Sequence, residues 1–420
     1  MARSNMLRVG SVSRWAGVGI FALLLFVGIN LRAPLLSVPP LLGMIRSDLH
    51  LNYAETGLLS ALPSLVMGAG AWPAGRLVGR IGGRMSVSLG LGLVALGVVA
   101  RGLWPGVIAI YVYTAALAGG IAIAQTAIPL LTREWFPTRI GFVSAIYTDG
   151  LVIGEALAAA VTVPLMRAWF GDNAWPAALL IWAVPATVAL ILWMWIAPAA
   201  SAHATPAGDT AHNSDVRRAE AASTRRVGPL LIGTIMAGGS VVYFGMNGWV
   251  APYNDAMHAS AMTPAALFAI NAAQLPVCIG LTFVAQQVVG KRWPFVISGS
   301  VAFVAIVGWL VTPTAFEPLW GAMIGGAAAG VFTLAFALPA IFGHGAQVAR
   351  LTGGSLGLSY TATFLVPYFG GVLWDTFHQP WLAFAPVALA AISLVGSALL
   401  LPPSSPQTLD DSTPFVEVAN

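Results

Sequence analysis

The chain has 420 residues but only 19 Lys+Arg and 15 Asp+Glu, 8% of the total, against 58% apolar residues and a mean hydropathy of +0.83. Soluble domains are about a quarter charged, so soluble enzymes, nucleic-acid binders and disordered chains are excluded. What remains is a membrane protein, and its one cysteine, Cys278, rules out an internal disulfide or a multi-cysteine metal site.

A membrane helix needs about 20 mostly apolar residues, because the hydrocarbon core is about 30 Å thick. Apolar runs between charged and Gly/Pro breaks predict twelve helices. In chain order they cover 15–43, 55–78, 86–104, 107–131, 140–168 and 176–197, then 229–252, 263–289, 293–312, 316–342, 351–374 and 380–402. The first run follows Arg3, Arg8 and Arg14, as a signal peptide would. It continues too far for a signal core and lacks a small-residue cleavage pattern, so it is retained as helix one. Pro198–Val227 holds Asp209, Asp215, Arg217, Arg218, Glu220, Arg225 and Arg226 and reads as a solvated linker. The expected organisation is a six-helix bundle at 1–197, a cytoplasmic linker at 198–227, a second bundle at 228–402 and a cytoplasmic tail at 403–420.

Basic residues are retained on the cytoplasmic side of a membrane. With the N-terminus inside, 15 of the 19 basic residues fall in inner segments. Arg46, Arg101 and Arg167 fall outside, and Arg32 lies within helix one. This expects a multi-pass protein of a bacterial-type inner membrane with both termini cytoplasmic, and it explains the basic balance without a nucleic-acid partner.

The halves repeat each other. Gly120 and Pro129 in helix four and Gly330 and Pro339 in helix ten have the same spacing. Gly28-Ile29-Asn30 in helix one matches Gly245-Met246-Asn247 in helix seven, again six helices later. The fold class is therefore an all-α membrane protein of twelve helices in two six-helix pseudo-repeats. Such duplications place a substrate site near the midplane between the halves.

The segment Gly75-Arg-Leu-Val-Gly-Arg-Ile-Gly-Gly-Arg84 resembles the loop signature of the major facilitator superfamily, with Gly75, Arg80 and Arg84 at its positions. Gly79 stands where that signature carries an acid, and Gly83 where it carries a base. Gly28-Ile-Asn-Leu-Arg-Ala-Pro34, continuing to Pro39-Pro-Leu-Leu42, resembles helix one of the cyanate and 2-nitroimidazole permease branch. Leu58–Pro63, Gln125–Pro129 and Tyr243–Asn247 are similar to that branch as well. The resemblance implies the facilitator fold, alternating access, and a cyanate-like anion or nitroimidazole-like heteroaromatic as substrate.

Three charges lie well inside apolar helices: Arg32, Asp149 and Glu155. Arg32 follows Arg14 by about 27 Å along a straight helix, and a guanidinium at that depth must face the bundle interior. Its planar fork suits a carboxylate-like or nitro-like group; the alternative is structural pairing with a helix end or an acid. Pro34 should bend the helix beside it. Glu155 is a candidate proton carrier, or else a counter-ion to Arg32. Asp149, six residues earlier, points about 120° away, so the two carboxylates form no pair. It lies nearer the inner loops, where Arg133 or Arg139 could meet it, and reads as a gating or structural residue.

Asn30, Gln125, Tyr243, Asn247, Asn271, Gln274 and Tyr360 are uncharged substrate-binding candidates in the middle of helices. Interhelical hydrogen bonding is their other use. Trp249 occupies the repeat position of Arg32, which would set an indole opposite the cation; most tryptophans in such chains are interface anchors. The six histidines have no metal-ligand spacing and no nucleotide-binding loop occurs, so no cofactor, metal or catalytic set is expected. The reading is a secondary transporter, not an enzyme, whose partners are a small-molecule substrate and the lipid bilayer, with a proton as coupling ion, working as a monomer. A multidrug exporter of the same fold is the alternative, and the fixed cation Arg32 counts against it. A membrane-embedded enzyme or a sensor would need clustered catalytic groups or an output domain.

Overall fold

The computed structural model describes residues 14–172, 174–198 and 227–402. The expected linker, apart from its two end residues, and the expected tail lie outside the described residues. Twelve helices there are long and apolar enough to cross a membrane, and no strand occurs among the described residues. They are α1 (Val18–Asp48), α2 (Glu55–Ile81), α3 (Gly83–Leu103), α4 (Val107–Trp135), α5 (Ile140–Phe170) and α6 (Trp175–Ile196). The second six are α7 (Pro229–Ala256), α8 (Ser260–Val288), α9 (Trp293–Val311), α10 (Thr314–Phe342), α11 (Ala346–Phe377) and α12 (Pro380–Leu400).

Several helices outrun their predicted apolar cores, because a helix continues past the hydrocarbon wherever its polar end finds water or a partner. Thus α4 runs on through Arg133 and Glu134 to Trp135, and α11 extends at both ends. Prolines set the breaks. The regular part of α1 ends at Leu36, and a 3-10 turn at Pro39–Leu41 leads into a short helix, Leu42–Asp48. Pro185 and Pro276 each lack the N–H that would bond four residues back. There α6 is interrupted at Trp182 and α8 at Ala273. The start of α2 is fixed by a capping box: Asn52 Oδ1 accepts from Glu55 N and Glu55 Oε2 accepts from Asn52 N, each at 2.8 Å.

The repeat appears in the packing. Helix α1 packs on α5 and α6, and α7 on α11 and α12. Helix α3 packs on α4 and α6, and α9 on α10 and α12. The two halves meet mainly through α2 with α11 and α5 with α8, with α4 and α5 also touching α10. The α1–α5 contact is made by glycines: a Cβ at Gly154 would strike the Ile29 carbonyl, and Gly28 and Gly150 face each other's backbone. Small residues let membrane helices approach this closely. That approach brings Arg32 of α1 and Glu155 of α5 to one level of the bundle.

One end of the bundle carries the α2–α3, α4–α5, α8–α9 and α10–α11 connections, with Arg80, Arg84, Arg139 and Lys291. This is the basic end. Arg84 donates to the Met194 carbonyl at 2.8 Å, tying the α2–α3 loop to the end of α6. Arg292 likewise donates to the Leu401 carbonyl at the end of α12, a second trace of the duplication.

Candidate functional site

A small cavity lies between the halves, lined by α1, α5, α7, α8, α10 and α11. Its polar lining includes Arg32, Glu155, Tyr243, Gln274 and Tyr360; Leu151, Phe244, Ala328 and Phe332 supply apolar wall. Arg32 is 7% exposed. It and Glu155 share the cavity without coming within 4.0 Å as an ion pair, since Glu155 Oε1 is instead met by Tyr243 Oη at 2.6 Å. The cation is thus held inside an apolar bundle with room beside it. A planar anion could complete its hydrogen bonding, whereas a lipophilic cation would be repelled.

The remaining candidates form two polar webs around this space. In the first, Asn271 Nδ2 donates to Asn247 Oδ1 and to the Leu267 carbonyl, each at 2.8 Å, and Tyr243 Oη lies 2.5 Å from Asn271 Oδ1. Asn247 Nδ2 donates to the Tyr243 carbonyl at 2.9 Å. In the second, Tyr360 Oη of α11 donates to Gln125 Oε1 of α4 at 2.8 Å, while the buried Gln125 Nε2 has no hydrogen-bond partner among the described residues. The break in α8 sets Gln274 at the first position of its second helical segment, on the cavity wall. Two candidates sit elsewhere. Asn30 donates to its own helix at Phe26 O, 2.9 Å away. Trp249 packs against Trp374 of α11, ring centroids 5.8 Å apart, and does not line the cavity with Arg32.

Below the cavity the halves are joined toward the basic end. Asp149 Oδ2 accepts from Thr282 Oγ1 at 2.6 Å, so its partner is an α8 hydroxyl and neither Arg133 nor Arg139. Gly141 N donates to Gln286 Oε1 at 2.9 Å, and Arg133 donates to the Ala340 and Ile341 carbonyls. A Cβ at Gly75 would lie 2.7 Å from the Ala349 carbonyl, and one at Gly353 would strike the Ala71 carbonyl. Arg80 lines a groove with Gly75, Arg76 and Arg350 at this end. A second cavity runs from Arg32, Phe244 and Tyr360 the other way, along Leu36, Pro39, Leu59 and Pro63. The site is closed toward the basic end, with space leading to the opposite one.

Two buried charges were not among those the sequence places inside helices. Arg101, expected in an outer segment, is fully buried within α3, and its Nη2 donates to the Pro34 carbonyl at 2.8 Å. Glu317 of α10 is 1% exposed and accepts from Asn254 Nδ2 at 2.8 Å. The end of the regular helix at Leu36, which leaves the Pro34 carbonyl among its last four, without an intrahelical partner, is the signal that could have pointed to Arg101. Cys278, Ser240 and Thr333 also line the cavity and carry no flag in sequence.

Known proteins resemble the chain along most of its length. Residues 16–367 match the family model described as Major Facilitator Superfamily. The chain is 27% identical over 390 residues to "Uncharacterized transporter YycB" of Bacillus subtilis (strain 168), covering 92% of each. It is 28% identical over 364 residues to "Cyanate transport protein CynX" of Escherichia coli (strain K12), covering 83% of this chain and 88% of that one. Identity to the "2-nitroimidazole transporter" of the same organism is 32% over 175 residues, 42% of this chain and 44% of that one. Among solved structures, the proton:xylose symporter XylE superposes with a TM-score of 0.68 at 14% identity, covering 89% and 94% of the two chains. The transporter FucP gives 0.67 at 15% identity, with coverage of 91% and 98%.

Proposed function

The chain belongs to the Major Facilitator Superfamily, and from that membership and the geometry of the cavity we propose that it is a secondary transporter of a small anion or small polar heteroaromatic. The substrate would be cyanate-like or nitroimidazole-like, the chemistry named in two of its relatives. The observation that carries the reading is Arg32: a cation, 7% exposed, lining a mostly apolar cavity without an ion-pair partner among the described residues. Placing a guanidinium inside a membrane bundle costs a few kcal/mol even on lenient scales, which a structural role beside Glu155 would have offset by direct pairing.

In this reading the basic end is cytoplasmic, both termini lie there, and the bilayer is an inner membrane. The α2–α11, α5–α8 and α4–α10 contacts close the cytoplasmic side, so the conformation is outward-facing. Residues 1–197 and 228–402 act as the two rocking bundles, with 198–227 joining them. Arg32 anchors the substrate, with Tyr360, Tyr243 and Gln274 orienting it. Asn247 and Asn271 support Tyr243, and Gln125 supports Tyr360. Glu155 couples transport to protons, and Asp149 with Thr282 is part of the inner gate. Asn30 and Trp249 shape α1 and the α7–α11 contact.

Ligand-induced stabilisation of the purified protein tests the substrate class, because a ligand that binds the folded state raises its melting temperature as its concentration passes Kd. Potassium cyanate and 2-nitroimidazole should each stabilise the wild type in a saturable way and leave Arg32→Gln unmoved. Stabilisation by tetraphenylphosphonium instead would favour the multidrug exporter.

A further inference from the structure

Three exposed arginines converge on one groove at the basic end, and no acid accompanies them. The groove follows the α2–α11 seam. Arg76 and Arg350 line it throughout, with Arg80 and Ala346 at its shallow part and Trp72, Leu351 and Gly354 deeper. Two of the stems rise from touching backbones, since a Cβ on Gly75 would lie 3.4 Å from Arg350 Cα. None of the three arginines has an ion pair among the described residues, and neither 71–84 nor 343–360 contains an acidic residue. Like charges drawn together across a packed seam oppose its closure, and solvent and salt weaken that repulsion without reversing it. An anion from outside the protein turns the same charges into a clasp.

The groove is graded from charged to apolar. Along α2, Trp72, Arg76 and Arg80 follow one face at steps of about 6 Å. Helix α11 runs the other way, so Gly354 lies about 6 Å deeper than Arg350. Trp72 is 57% exposed, and the Arg76 guanidinium stacks 3.6 Å from its ring centroid. With Leu351 and Pro229 it gives the deep part an apolar wall. An exposed indole beside a cation suits the level where a bilayer passes from acyl chain to headgroup. Free phosphate would use the arginines alone, whereas a phosphate carrying acyl chains uses both ends of the groove.

We propose that this groove holds one anionic phospholipid of the leaflet at the basic end, and that the lipid pins α2 to α11. Its phosphate sits among Arg76, Arg80 and Arg350, and its acyl chains run along Trp72 and Leu351. Arginine suits the phosphate because its fork donates two parallel bonds to one oxyanion. Helix α2 belongs to the first half and α11 to the second, so a ligand touching both favours the closed arrangement and shifts the population toward it. The anionic-lipid content of the membrane then sets how readily the basic end opens. The site is independent of what the central cavity carries; the shift rests on the two-bundle motion proposed above.

Titration of the purified full-length protein in a neutral detergent tests the site. Dioleoylphosphatidylglycerol should raise the melting temperature saturably, and native mass spectra should show one tightly retained lipid. Dioleoylphosphatidylcholine, whose choline cancels its phosphate charge, and inorganic phosphate should each leave the melting temperature unmoved. The double variant Arg76→Gln, Arg350→Gln should need about 25-fold more phosphatidylglycerol, at roughly fivefold per arginine beside an anionic headgroup. Lys291→Gln, which removes a charge from the same end outside the groove, should match the wild type. Stabilisation by inorganic phosphate would overturn the lipid as occupant. An equal loss in Lys291→Gln, or none in the double variant, would overturn the site. In vesicles, replacing phosphatidylcholine by phosphatidylglycerol should slow maleimide labelling of the cavity residue Cys278 from the basic side in the wild type and not in the double variant. Unchanged labelling would overturn the pinning. None of these readouts needs flux, so a failure of the transport reading leaves them standing.

Discussion

Arg32→Gln is expected to abolish saturable uptake of labelled cyanate in proteoliposomes while leaving the protein folded and monodisperse. Glutamine keeps a polar donor but is two bonds shorter, so the cavity loses the charge, the planar fork and the reach of the guanidinium together. A hydrogen bond to a charged group contributes about 1.5–3 kcal/mol, which corresponds to roughly 10- to 150-fold in half-saturation. Two parallel bonds to one anion would push the loss toward the upper end. Arg32→Lys tests the geometry separately: it restores the charge as a point donor without the fork, and should recover part of the affinity. Uptake by Arg32→Gln at the wild-type half-saturation would mean that Arg32 serves the packing of α1 alone.

Gly353→Leu is expected to stop net transport by a different route. Gly353 of α11 abuts Ala71 and Gly75 of α2, and even a Cβ would strike the Ala71 carbonyl. The contact belongs to the closed basic end, so a bulky side chain there opposes that closure. Overpacking costs about 1–3 kcal/mol, enough to reverse a two-state ratio by roughly 5- to 150-fold. The two bundles can separate along α2–α11 without unpacking either, and the protein should remain folded. Cys278, the one cysteine, lines the cavity and reports the shift. A membrane-impermeant maleimide added from the basic side should label it faster in Gly353→Leu than in the wild type. Equal labelling with intact transport would show that this contact persists through the cycle.

Much of the site can be read from the sequence because a charge inside an apolar helix is costly wherever it occurs. Arg32, Glu155 and Asp149 declare themselves by that cost, and the first two share a cavity with Tyr243, Gln274 and Tyr360. The number of helices and their pairing are legible for a similar reason, since apolar length and glycine spacing act along the chain. Arg101 is not legible. It stands two residues from the end of α3, where a charge reads as interfacial, and the carbonyl that holds it belongs to α1. Glu317 is hidden in the same way at the start of α10, its partner Asn254 coming from α7. Trp249 shows the limit of reasoning by repeat: its position matches Arg32, but the large indole is accommodated against Gly370 and Gly371 of α11.

The central claim is tested most directly by the wild-type protein alone, reconstituted into liposomes and supplied with labelled cyanate. Saturable uptake, accelerated by external acid and competitively inhibited by 2-nitroimidazole, is the expected result. Absence of cyanate flux from vesicles that extrude tetraphenylphosphonium would contradict it and assign the cavity to bulky cations.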